Sequence, residues 1–170
     1  MFVLDALSVF LATVWITSGI DKVLHPEDGL ALGRYLGWIG ATRGAVRTVG
    51  TGELALGASW LVVPRIAGPV TVVFLVGYSA LMAQVLRGGS EIRCACGGVL
   101  GSEQLSWRTL VRNGLLILAA LFASVRSSLH TPALPIDWFG VVAAGTSMAI
   151  MLGVMSQLGE FLAEGTQYDQ

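Results

Sequence analysis

From Ile66 to Leu86 the chain carries no charged side chain. A helix needs about 20 mostly apolar residues to cross a bilayer core about 30 Å thick, and this run meets that length. Its apolar residues form a block, without the alternation that marks a half-buried strand or helix. Composition extends the argument to the whole chain: of 170 residues, 54% are hydrophobic and only 12% charged, with a mean hydropathy of +0.73. Ordinary soluble domains carry roughly 25% charge, so this chain has too little to coat a water-facing surface. The expected fold class is an all-α integral membrane protein forming one domain over residues 1–170.

Five spans are expected: residues 3–24, 48–63, 66–86, 107–125 and 138–158. The first ends near the adjacent Asp21 and Lys22, read as a structural polar pair at the membrane edge rather than a proton relay, and Ser18-Gly19 would permit close helix approach. His25-Pro26-Glu27-Asp28-Gly29 then reads as a stop. Residues 29–47 read as an interfacial segment, with Tyr35 and Trp38 at headgroup depth. Pro69 is expected in the first turn of the third span, where its missing N–H costs little. The fifth span is rich in small residues (Gly140, Ala143, Ala144, Gly145, Ser147). The acidic tail from Glu160 is expected to fray, and the first segment reads as a permanent span rather than a cleaved signal.

Several function classes drop out. A net charge of −1 and no basic patch interleaved with aromatics give no reason to expect a nucleic-acid partner. Two cysteines exclude a disulfide-rich scaffold.

Those cysteines carry the chemistry. Cys94 and Cys96 lie one residue apart in a glycine-rich polar segment, residues 87–106, between the third and fourth spans. The spacing is neither C-x-x-C-H nor C-x-x-C, which excludes haem attachment and a thioredoxin motif. Thiols at i and i+2 can close a small strained disulfide, the labile kind. Gly97 and Gly98 would allow the backbone angles such a ring needs, and Arg93 would favour the attacking thiolate. A soft metal and an inert loop are the rival readings. Four ligands are usual for a structural metal, and the only histidines, His25 and His130, fall on opposite sides of the expected bundle, so no metal site is assigned. Glu53 stands within the otherwise apolar second span, and an ionisable group there is a functional candidate by default. Its bland alternative is a solvated or arginine-paired group near the interface. A transport role would rest on Glu53, but no paired discontinuous spans accompany it.

The first span ends Ser18-Gly19-Ile20-Asp21-Lys22-x-x-His25-Pro26; a glutamate follows in the second span, then Cys94-x-Cys96-x-Gly98, then Arg112-Asn113 opening the fourth. This pattern, from about residue 8 to 125, resembles the MauE branch of the DoxX-like membrane proteins. The family often has phenylalanine directly after the second cysteine, where this chain has Gly97. The resemblance implies a four-helix bundle core with a fifth transmembrane helix, and thiol–disulfide traffic at the cytoplasmic membrane. It implies a thioredoxin-like partner in maturing a disulfide-rich envelope protein, or quinone-linked chemistry, hence a thiol–disulfide or quinone-linked oxidoreductase. With a quinone as partner, Arg108, Arg112 and Asn113 would orient its oxygen or stabilise a thiolate; the two arginines would equally serve to reach lipid phosphates. The alternative is a non-catalytic subunit that anchors or assembles a larger complex through the small-residue span.

Charge and resemblance disagree on orientation. Lys22, Arg34, Arg43, Arg47, Arg87, Arg93, Arg108 and Arg112 share one face, against Arg65 and Arg126 on the other. The positive-inside rule puts the first face in the cytoplasm. Disulfides persist in oxidising compartments, and the resemblance therefore favours an extracytoplasmic cysteine loop, the orientation adopted here.

Overall fold

The structure, a computed structural model, describes residues 2–35, 37, 40–88, 93–94, 103–104, 107–127 and 142–151. Helices account for nearly all of them. α1 spans Phe2–Leu24, α2 Pro26–Tyr35, α3 Arg43–Val62, α4 Pro64–Arg87 and α5 Trp107–Ser127. A further apolar helix, α6, covers Val142–Met151. Two-residue strands β1 (Arg93–Cys94) and β2 (Glu103–Gln104) pair antiparallel.

This is an all-α membrane protein. α4, of 24 residues, is about 36 Å long at 1.5 Å per residue, enough to cross a bilayer core. The stretches Asp5–Leu24 and Pro64–Arg87 are both long and apolar enough to do so. The outward faces are apolar as well: Val73 is 70% exposed and Leu118 63%. Water would make such a surface an association liability; lipid is its natural solvent. Several hydroxyls within the helices turn back to their own backbones, as suits an apolar medium. Thr13 donates to the Val9 carbonyl at 2.8 Å and Ser124 to the Ala120 carbonyl at 2.6 Å.

α1 packs along α3, and α4 along α5. At the first contact Gly19 meets Gly50: a Cβ on Gly19 would lie 2.7 Å from the Gly50 carbonyl oxygen, and one on Gly50 2.9 Å from that of Gly19. The expected close approach at Ser18-Gly19 is therefore present, with α3 as the partner. α3 and α4 are separated by the single residue Val63, whose N–H bonds the Ser59 carbonyl at 2.7 Å. Trp60 Nε1 donates to Thr71 Oγ1 at 2.9 Å across that corner. Phe10, Leu11, Trp15, Leu56, Trp60, Leu75 and Leu116 fill the core between the two helix pairs. Near the start of α1, a Cβ on Gly145 would lie 2.7 Å from the Ala6 carbonyl oxygen, so α6 closes directly on α1.

Some boundaries move. Pro26 does not merely stop a helix; it occupies the first position of α2, where its fixed φ and absent N–H fit. The helix expected as the second span begins at Arg43 rather than residue 48, because Thr42 caps it by accepting the Ala45 N–H at 3.1 Å. α4 likewise starts at Pro64, which places Pro69 inside the helix rather than in its first turn. The expected polar loop 87–106 contains the β1–β2 ladder. Trp38, His130, Gly140 and the acidic tail from Glu160 lie outside the described residues.

Candidate functional site

Glu53 lies at the middle of α3 with no exposed surface. A carboxylate there needs partners, since an unpaired buried charge is prohibitively costly. It has two. Lys22 Nζ lies 2.9 Å from Oε2, and the Tyr78 hydroxyl donates to Oε1 at 2.5 Å. Three helices thus supply one cluster: α1 gives the cation, α3 the carboxylate and α4 the phenol.

The geometry follows from local sequence. Lys22 is in the last turn of α1, where helix carbonyls favour a cation. Its ammonium also donates to Ser18 Oγ, one turn earlier, at 2.8 Å, and it stands 5.6 Å from the centroid of the Tyr78 ring, within cation–π range. Phe74, four residues before Tyr78, packs edge-on to it at 6.2 Å and to Trp15 at 5.9 Å. This aromatic series holds the phenol in place. Packing and hydrogen bonds from α1, α3 and α4 thus hold the cluster.

Both bland readings of Glu53 give way. It is neither solvated nor paired with an arginine, and its cation comes from Lys22. The Asp21–Lys22 pair is also corrected. Neighbouring residues on a helix point about 100° apart, whereas i and i+4 share a face. Asp21 accordingly pairs with exposed His25 at 3.1 Å, leaving Lys22 to turn inward.

A second group of polar side chains lies on α4 and α5, nearer the end that bears the cysteine segment. Asn113 is 3% exposed, and its Nδ2 donates to Ser79 Oγ at 3.3 Å and approaches Met82 Sδ at 3.6 Å. One turn earlier Thr109 is also 3% exposed, and its hydroxyl has no hydrogen-bond partner among the described residues. Arg112 is half-buried beside them. Asn113 is thus held by α4 rather than presented to open space.

The cysteine segment joins the end of α4 to the start of α5. Arg93 pairs with Gln104 and Cys94 with Glu103 in the ladder, so the chain folds back on itself directly after α4. β1 comes within 8 Å, Cα to Cα, of α2. The backbone of Arg108 lies in the first turn of α5. Cys96, Gly97 and Gly98 lie outside the described residues. No cluster of three potential metal ligands occurs among the described residues.

Sequence reasoning marked Glu53 and Asn113 but missed Tyr78 and misassigned Lys22. The available signal was the Ser18–Lys22 spacing of four, which puts a hydroxyl and an ammonium on one face of α1. Tyr78 offered less: a single phenol in an uncharged span.

A family model described as Methylamine utilisation protein MauE matches residues 1–126. Methylamine utilization protein MauE of Paracoccus denitrificans is 32% identical over 174 residues, covering 96% of this chain and 91% of the relative. No solved structure matches.

Proposed function

The chain belongs to the MauE family of membrane proteins, and from this premise we propose that it serves methylamine utilisation as a thiol–disulfide redox protein. It is a multi-pass protein of the cytoplasmic membrane, with the cysteine segment on the outer face. Cys94 and Cys96 exchange electrons with a thioredoxin-like partner or a quinone and so support maturation of an envelope protein.

The observation that carries this reading is the pair of thiols one residue apart, with Cys94 on a ladder that folds the segment back at the end of α4. The chemistry balances. A Cys94 or Cys96 thiolate attacks a partner disulfide, the other cysteine displaces the partner from the mixed disulfide, and the partner leaves with two more electrons and two more protons. In the opposite direction the partner's dithiol is oxidised and the Cys94–Cys96 disulfide is reduced. With a quinone, two S–H bonds break and one S–S bond forms, while the quinone takes up two electrons and two protons. Arg93, adjacent to Cys94, favours the thiolate. Gly97 and Gly98 ease closure of the ring. Arg108 and Arg112 stand at the start of the following helix as groups that support the thiolate or quinone, and Asn113, held by α4, keeps that helix in place.

The alternative, a subunit that only anchors a complex, drew on the small residues of the last helix. Gly145 faces α1 within this chain, so that surface is partly used already.

The test is a Cys94→Ser/Cys96→Ser chain in cells that depend on it for growth on methylamine. Growth and the oxidised fraction of disulfide-rich envelope proteins should both fall to the level of a deletion. Growth and oxidation equal to those of the unaltered chain would rule the reading out.

A further inference from the structure

Beyond the cysteines, we propose that Glu53, set between Lys22 and Tyr78, is a proton-exchange site inside the membrane that gains and loses a proton as the cysteine pair cycles. The proposal rests on the redox reading above.

Three observations carry it. First, the ion pair is not the only contact that joins α1 and α3. The Gly19–Gly50 contact already sets backbone against backbone there, and small-residue packing of this kind suffices for helix association in lipid. A buried carboxylate at that seam adds a cost that assembly does not require. Second, the cluster has the parts for proton transfer. Tyr78 donates to one carboxylate oxygen and Lys22 to the other, and among the described residues these are the titratable groups recorded against Glu53, one from α4 and one from α1. If Glu53 takes a proton, the charge left on Lys22 lies in the last turn of α1, where the helix carbonyls favour it. Third, further polar groups, half-buried or buried, lie between the level of the cluster and the cysteine segment. Ser79 follows Tyr78 on α4 and bonds Asn113 of α5. Thr109, one turn nearer the segment, keeps a buried hydroxyl with no partner among the described residues, a donor and acceptor open to a water or a passing proton.

The step is a proton transfer coupled to a two-electron oxidation. Closing the Cys94–Cys96 disulfide releases two electrons and two protons. A quinone takes both electrons. One proton is held on the Glu53 carboxylate, beside the Tyr78 hydroxyl, for as long as the disulfide stays closed. The quinone completes its quinol with the other cysteine proton and one proton from the aqueous phase, and the proton on Glu53 returns to the cysteines when the disulfide is reduced.

The experiment uses the full chain in lipid vesicles containing a short-chain benzoquinone and its quinol. Infrared difference spectra between oxidised and reduced states are recorded in H2O and D2O, while alkylation and mass measurement report the cysteine redox state. The unaltered chain should show a protonated-carboxyl stretch that changes with redox state and shifts in D2O. Glu53→Gln should lose that band, and Glu27→Gln, at an exposed ion pair with Arg43, should retain it. Tyr78→Phe keeps the aromatic packing and removes the donor to Oε1; the band should persist at a shifted frequency, which keeps the test open if Glu53→Gln does not fold. Cysteines that cycle with no carboxyl band, with a band unaltered in Glu53→Gln, or with one unshifted in Tyr78→Phe would overturn the proposal and leave the redox reading intact. Cysteines that never form a disulfide would overturn both, and the alkylation measurement would show it.

Discussion

The Lys22 ammonium lies 2.9 Å from Glu53 Oε2, and both side chains are buried where α1 meets α3. Removing one partner of a buried pair leaves the other charge uncompensated, which typically costs about 3–5 kcal/mol. Lys22→Ala and Glu53→Ala should each destabilise the protein in detergent or lipid by an amount of that order. Lys22→Met/Glu53→Gln should cost clearly less than the sum of the two alanine effects, because neither charge is then stranded. Thermal or denaturant unfolding of the four chains checks the cycle.

The seam between α1 and α3 gives a steric prediction. Gly50→Ala puts a methyl group 2.9 Å from the Gly19 carbonyl oxygen and 3.0 Å from Lys22 Cβ, so the helices must separate, at about 1–3 kcal/mol. Gly52, two residues along the same helix, has nothing within 4 Å of a Cβ. Gly52→Ala should be neutral or stabilising by up to about 1 kcal/mol through helix propensity. Equal melting temperatures for the two variants would refute the contact.

At the α3–α4 corner, Thr71 and Trp60 are both buried and hydrogen-bonded to each other. Thr71→Val keeps the side-chain shape and leaves the indole N–H without an acceptor, at about 1–3 kcal/mol. Thr71→Ser should retain most of the stability. A valine variant as stable as the serine variant would argue against the bond.

By contrast, the exposed Arg43–Glu27 pair, at 2.9 Å, should contribute little. Glu27→Gln is expected to change stability by less than about 1 kcal/mol, and a larger loss in unfolding would mean that α2 is held to α3 mainly by this contact.

Much of the fold is legible in the sequence, because membrane spans are written in length and charge. The uncharged run before Arg87 gives α4, and the polar interruption after it gives the segment with the cysteines. Proline was harder to read. Pro26 bars continuation of α1 yet suits the first position of a new helix, and nothing in the local pattern distinguishes the two outcomes. Arg43 and Arg47 made the start of α3 look polar, whereas Thr42 provides a cap that lets the helix begin at Arg43. Within the cluster, Glu53 stands out as a charge in an apolar span. Which cation meets it depends on how α1 is rotated against α3, and that rotation is set by the Gly19–Gly50 contact. Tyr78 reaches Glu53 only because α4 turns back after Val63. Its role is a property of tertiary structure that no spacing in the chain records.

The most direct measurement is labelling of Cys94 and Cys96 in intact cells with a membrane-impermeant maleimide, with and without prior treatment by an impermeant reductant. A reversible disulfide on the outer face requires both residues to be labelled only after reduction. Equal labelling of both cysteines without reductant would mean free resting thiols, and would contradict a thiol–disulfide cycle at this segment.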